Sequence, residues 1–142
     1  MMAYFSDADA RILADRLQSL QSPVRLAFFT QSLNCDSCPA TKGILEGLAA
    51  ASPLLTVDEH NLVLDKDLAE TMGVERVPAV AIVGEVDAGV RFYGAPEGYE
   101  LVSLLDAILA VSAHDSGLSA TTRERVSGLS QPLHLQVFST PT

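Results

Sequence analysis

Apolar positions change spacing along this chain, and each change marks an element. After Ser6, a suitable N-cap, Ile12, Leu13, Leu17 and Leu20 recur at helical intervals, which predicts a helix that ends before Pro23. Residues 24–30, Val-Arg-Leu-Ala-Phe-Phe-Thr, are short and rich in strand formers, so a strand is expected. Residues 31–34 read as a turn. From 35 to 50 the spacing of Ile44, Leu45 and Leu48 is helical again, with Gly43 and Gly47 as weak points. A second strand is expected over 54–59, and a short helix over 65–72 with Gly73 placed to stop it.

The next run, 77–83, predicts a strand that begins beside Pro78. Residues 90–93 are expected to pair with it across a turn from Gly84 to Gly89. A last helix carries Leu101, Leu104, Leu105, Ile108 and Leu109. Helices that alternate with strands early, and a hairpin late, predict an α/β fold with a mixed sheet of four strands.

Beyond residue 115 the pattern starts again. A shift of 109 positions aligns Arg16 with Arg125, Leu20 with Leu129, Pro23 with Pro132, Leu26 with Leu135 and Phe29 with Phe138. Residues 119–130 then read as a second copy of the first helix, and 133–139 as a second copy of the first strand. The expected organisation is one unit over 1–115, followed over 116–142 by a linker and the start of a truncated second unit. An ordinary C-terminal tail with the same local propensities is the alternative.

Composition sets limits on this picture. The chain has 142 residues, of which 48% are hydrophobic and 19% charged, which suits a folded domain rather than disorder. A domain of this size buries roughly two thirds of its unfolded surface and needs no disulfide staple. The formal charge of −9 disfavours phosphate backbones, so no nucleic-acid partner is expected. Asp7, Asp9, Arg11, Asp15 and Arg16 interrupt the N-terminal region, which does not read as a signal peptide, and no apolar run is long enough to span a bilayer. The expectation is a soluble cytoplasmic protein without a membrane partner.

The two cysteines, Cys35 and Cys38, carry the candidate chemistry. As a brace they would do little: the chain-entropy model gives so short a loop roughly 2 kcal/mol, against about 4.7 kcal/mol for a hundred-residue loop. Placed between a strand and a helix, they would share the first helical turn, where unpaired N–H groups and the helix dipole favour negative charge. A thiol with a pKa of about 8.5 is only about 3% ionised at pH 7, and lowering the pKa to about 7 makes half of it nucleophilic. Cys35 would attack a disulfide and Cys38 would resolve the mixed disulfide. Asp36 opposes ionisation of Cys35 unless it faces solvent or caps the helix. Pro39 gives up a donor in the first turn, where the loss costs little.

Two other uses of the pair stay open. Two inert buried thiols are one. Half of a zinc site is the other, although His60, His114 and His134 are scattered and no second cysteine pair exists, so no metal is expected. The Val77–Pro78 bond is a candidate cis peptide. Val77 would then offer its backbone N–H and C=O to an extended substrate. An ordinary trans proline at a strand start is the plain reading.

Taken together, the strand, the CxxC opening a helix, Val-Pro before a hairpin and the closing helix resemble the thioredoxin and glutaredoxin superfamily. Residues 92–100, Phe-Tyr-Gly-Ala-Pro-Glu-Gly-Tyr-Glu, with Leu104, Leu105 and Ile108, resemble more narrowly the N-terminal unit of tandem protein disulfide oxidoreductases. The resemblance covers 6–115 as the first unit and the tail as the start of the second. Residues 138–142 look like the lead-in to a second CxxC motif that would follow Thr142.

This resemblance implies a thioredoxin-like fold with an extra N-terminal helix. It also implies Cys35 as nucleophile, Cys38 as resolving thiol and Pro78 as cis-proline. Two departures stand out: there is no Trp, and Asp36-Ser37 replaces the usual dipeptides. In such tandem proteins the C-terminal unit is often the stronger catalyst. In the related N-terminal domain of alkyl hydroperoxide reductase flavoproteins, one unit has lost its cysteines.

The functional expectation is thiol–disulfide exchange with protein dithiols and disulfides, with no cofactor. A non-catalytic or weakly active binding or assembly half is the alternative. Glutathione as co-substrate would need basic groups near the site, and Lys42 and Arg76 are the candidates by sequence. Exposed Leu133, Leu135, Val137 and Phe138 are expected to dock on the first unit's sheet edge or on another copy, making a dimer through the C-terminal tail.

Overall fold

The computed structural model describes residues 4–140. Nine elements follow in order: α1 (Asp7–Leu17), β1 (Val24–Thr30), α2 (Cys38–Ala50), β2 (Leu55–Asn61), α3 (Lys66–Thr71), β3 (Ala79–Val83), β4 (Asp87–Tyr93), α4 (Tyr99–Ala113) and α5 (Ala120–Ser127). The sheet order is β2-β1-β3-β4. β1 and β2 run parallel across the α2 crossover, whereas β1–β3 and β3–β4 are antiparallel. This is the expected mixed four-stranded sheet, with α1 as the additional N-terminal helix.

Alternation along the two inner strands divides the core into two layers, because successive side chains of a strand face opposite ways. Leu26, Phe28, Val80 and Ile82 face a large cluster that holds Leu13 and Leu17 of α1, Ile44, Leu45 and Leu48 of α2, and Leu104, Leu105 and Ile108 of α4. On the other face, Phe29 and the small residues Ala27, Ala79 and Ala81 pack with Ala69 of α3 and with Val74. Both faces of β1 are therefore covered, which explains its nearly continuous apolar run.

Several boundaries differ from the sequence expectation. α1 stops at Leu17, although Leu20 remains in the core; Ile12, expected on the inner face, is 60% exposed. β2 continues to Asn61, two residues further than expected, because it pairs with the whole of β1. β3 starts at Ala79 rather than at 77, directly after the Val77–Pro78 bond. β4 begins at Asp87, so the hairpin turn is shorter, and a bulge between Ile82 and Val83 absorbs the extra residues.

The tail departs furthest. α5 forms with Ser119 as its cap, the Ser119 side chain accepting from the Thr122 N–H, but none of its residues is buried. Residues 133–139, expected as a strand, have no ladder partner among the described residues and form none. Apolar alternation prepares a segment for a sheet but supplies no neighbour to bond its backbone. Pro141 and Thr142, the end of the expected lead-in to a second motif, lie outside the described residues.

Candidate functional site

β1 delivers the chain to one end of the sheet at Thr30, and the turn that follows places the cysteines. The Gln31 side chain donates to the Leu33 carbonyl at 2.7 Å, and Asn34 takes a positive φ of 57°, a conformation that Asn tolerates better than most residues. Cys35 follows, half-buried, while Asp36 is exposed. Cys38 is the first residue of α2 and is only 4% exposed. The two cysteines form a disulfide, with their Cα atoms 5.4 Å apart.

The helix start is therefore three residues later than expected. Cys35 precedes the helix, and the Cys38 N–H donates to the Cys35 carbonyl at 3.4 Å. Asp36 and Ser37 occupy a turn between them. Thr41, fully buried, pins that turn by donating from both its N–H (3.0 Å) and its hydroxyl (2.8 Å) to the Ser37 carbonyl. Ser37 makes no side-chain cap and Pro39 has no N–H, so no side-chain acceptor from Ser37 competes for the positive end of α2. The disulfide brings the Cys35 sulfur to that end.

The sheet register brings in the second part of the site. β1 and β3 are antiparallel with Phe29 opposite Ala79, so Pro78 lies beside the last residue of β1, at the edge from which the CxxC turn departs. The Val77–Pro78 peptide is cis. Pro78 is buried, and its carbonyl accepts from the Gly94 N–H at 3.0 Å, which ties it to the end of β4. Among the described residues, neither the N–H nor the C=O of Val77 takes a hydrogen-bond partner. An extended segment can add one short rung there.

One feature beside the cysteines was not apparent from the sequence. Between the 31–34 turn and the loop after β2 lies an open groove of about 430 Å³. Leu33, Val63 and Leu64 line it, and each is largely exposed. Single apolar residues in loops carry no periodic signal, and only the parallel pairing of β1 with β2 places these two loops side by side. Arg76, one of the two basic candidates read from the sequence, has its guanidinium 4.2 Å from the centre of the Tyr93 ring.

Lys42, the other basic candidate, is engaged elsewhere. It pairs with Glu59 at 2.8 Å and more distantly with Glu46, and the hydrogen bond to Glu59 raises its pKa. Among the described residues, no group of three or more His, Cys, Asp or Glu side chains is placed to hold a metal.

Solved structures share this arrangement of sheet and helices. The structure is similar to a protein disulfide oxidoreductase from Aeropyrum pernix K1, with a TM-score of 0.80 and 28% identity. The match covers 91% of this chain and 56% of that one. The chain has a thioredoxin-like fold. The N-terminal domain of the alkylhydroperoxide reductase AhpF from Enterococcus faecalis is also similar, with a TM-score of 0.72 and 21% identity over 86% of this chain and 59% of that one. A thioredoxin from Halobacterium salinarum shares the fold more loosely, with a TM-score of 0.52 and 22% identity over 66% of this chain and 79% of that one. This thioredoxin-like chain thus spans somewhat more than half the length of the first two structures. No family model matches the sequence, and no curated protein does.

Proposed function

We propose that the chain exchanges disulfides with protein substrates through Cys35 and Cys38. The observation that carries this reading is the asymmetry of the pair: the sulfur ahead of α2 belongs to a partly exposed residue and the sulfur on α2 to a buried one. Their joining across one turn at a helix N-terminus is the arrangement that the chemistry needs.

In the oxidised form, a substrate thiolate attacks the Cys35 sulfur, and Cys38 leaves as a thiolate that the helix terminus stabilises. The second substrate thiol then attacks the mixed disulfide. It releases Cys35 as a thiolate and the substrate as a disulfide. In the reverse direction, Cys35 attacks a substrate disulfide and Cys38 displaces the reduced substrate, so two electrons pass to the substrate and the pair closes. Val77 holds the substrate backbone beside the sulfur, and buried Pro78 fixes Val77 in place. Each cycle requires a second dithiol or disulfide partner to reset the pair.

The test is reduction of a protein disulfide with dithiothreitol as the resetting dithiol. Cys35→Ser should fall to the uncatalysed rate, and Cys38→Ser should accumulate a mixed disulfide with substrate through Cys35. A Cys35→Ser variant as active as the parent would overturn the proposal.

The same reading extends to organisation and place. Residues 116–142 begin a second thioredoxin-like unit. The 109-residue repeat supports this, as does a match to the Aeropyrum protein that covers more of the chain than its first 115 residues. The exposed Leu133, Leu135, Val137 and Phe138 are then surfaces for that unit's own core, or for a second copy of the chain. The cytoplasm is the proposed location, since a bridge this short is better suited to cycling than to bracing.

A further inference from the structure

The chain has nine Lys and Arg residues, and all lie within the described part. Six of them, Arg16, Arg25, Lys42, Lys66, Arg91 and Arg123, sit within ion-pair distance of a carboxylate. Arg11 is on the outer face of α1, and Arg125 is on α5. Among the described residues, only Arg76 combines an unneutralised charge with a place at the CxxC end of the sheet.

Its position there is fixed. The guanidinium stacks over Tyr93 at 4.2 Å, and the Tyr93 hydroxyl reaches the Gly73 carbonyl at 3.5 Å. Tyr93 itself stands opposite Ala79 at the end of the β3–β4 ladder. A long side chain that would otherwise sample many rotamers is thus held by a ring set in the sheet. It belongs to the residue immediately before Val77, whose backbone N–H and C=O are free. Acids on the adjoining segments leave it unpaired: Glu75 is adjacent in the chain, Asp36 is beside Cys35, and Glu97 accepts from the Tyr4 hydroxyl at 2.9 Å. None of these three forms an ion pair with Arg76.

We infer that Arg76 selects disulfide substrates that carry an Asp or Glu within one or two residues of the reacting cysteine. This rests on the exchange reading above and names the substrate class for that site. A segment paired with Val77 places its adjacent side chains beside Arg76, and a carboxylate there meets a cation that no other group has neutralised. The net charge of −9 does not cancel this locally, because charges further than about 8 Å away are largely screened at physiological salt.

The experiment uses three disulfide-bonded peptides, alike except for Asp, Ala or Lys beside the cysteine, and follows their exchange with the 142-residue chain. The parent should favour Asp over Lys by about 3- to 5-fold, mainly through KM, the size of an exposed ion pair. High salt should reduce that ratio. In Arg76→Gln the ratio should fall to about one, and Arg76→Lys should restore part of it. An equal rate for Asp and Lys peptides in the parent, or a preference that survives in Arg76→Gln, overturns the inference. Failure of the parent to exchange even the Ala peptide would instead overturn the exchange reading, and this inference with it.

Discussion

Asp36 and Ser112 show how much a single side chain decides here. Asp36 stands beside Cys35 and is exposed, so its charge acts on the sulfur mainly through water. A carboxylate near a sulfur opposes thiolate formation, and high dielectric keeps that effect small. Asp36→Asn should therefore favour the Cys35 thiolate and speed its alkylation near pH 7 by about twofold. A pH series of iodoacetamide rates on reduced protein checks this, and salt should narrow the difference. Ser112 does structural work that no pattern announces. Its buried hydroxyl accepts from the N–H groups of Gln21 (2.8 Å) and Ser22 (2.9 Å) and donates to the Ser22 carbonyl (2.8 Å). It joins the end of α4 to the loop that feeds β1. Ser112→Ala leaves two donors and an acceptor unsatisfied at once, and should destabilise the fold by about 2–4 kcal/mol in urea unfolding.

Among the elements, α2 carries both the chemistry and a packing constraint. Gly43 and Gly47 weaken its helix propensity, and the structure supplies the reason for both: they make room for Tyr4 and Phe5. A Cβ at Gly47 would lie 2.6 Å from the Phe5 ring, which is partly buried against the main core. At Gly43 the nearest ring atom is 2.9 Å away, but it belongs to Tyr4, which is 44% exposed and is held by an exposed hydrogen bond to Glu97 rather than by the core. Gly43→Ala should then be neutral or slightly stabilising, because helix propensity favours Ala by about 1 kcal/mol. Gly47→Ala should cost about 1–2 kcal/mol net, since a packed ring must move. Thermal unfolding of the two variants distinguishes them. The helix's late start has a similar origin. Ile44, Leu45 and Leu48 announce the helix body clearly, but its first residue depends on where Thr41 closes on Ser37.

At the scale of the whole molecule, the β4 edge gives stability a dependence on acid. Arg91 grips both oxygens of Asp87 at 2.9 and 2.6 Å, while its other bonds include two to the Met72 carbonyl behind the sheet. The Arg91 hydrogen bond, helped by the Gly89 N–H, holds the Asp87 pKa down at about 2, from an ordinary value of 3.8. A depressed carboxylate stabilises the folded state fully above its unfolded pKa. That contribution is lost as pH falls from about 4 through 2. Asp87 is about a third exposed, so solvent screening leaves roughly 1 kcal/mol. Asp87→Asn should lower stability at pH 6 by that amount and flatten the fall between pH 4 and 2, which urea midpoints across the range would show. The tail holds a similar pair, in which the Gly117 N–H and Arg123 of α5 lower the Asp115 pKa, but α5 buries nothing and the pair stands in solvent.

What the sequence determined by itself was whatever depends on local order: strand and helix identities, the four-stranded class and the cysteine spacing. Each follows from periodicity or from residues adjacent in the chain. Periodicity also anticipated α5 and its serine cap. It could not make a strand of 133–139, since a strand needs a neighbour that the described tail does not have. Tertiary structure alone decided which loops meet at the sheet end. Register put Pro78 beside Thr30, parallel pairing set Leu33 against Val63 and Leu64, and the hairpin carried Tyr93 under Arg76. Those groups are far apart in sequence, so only backbone pairing across the sheet brings them together.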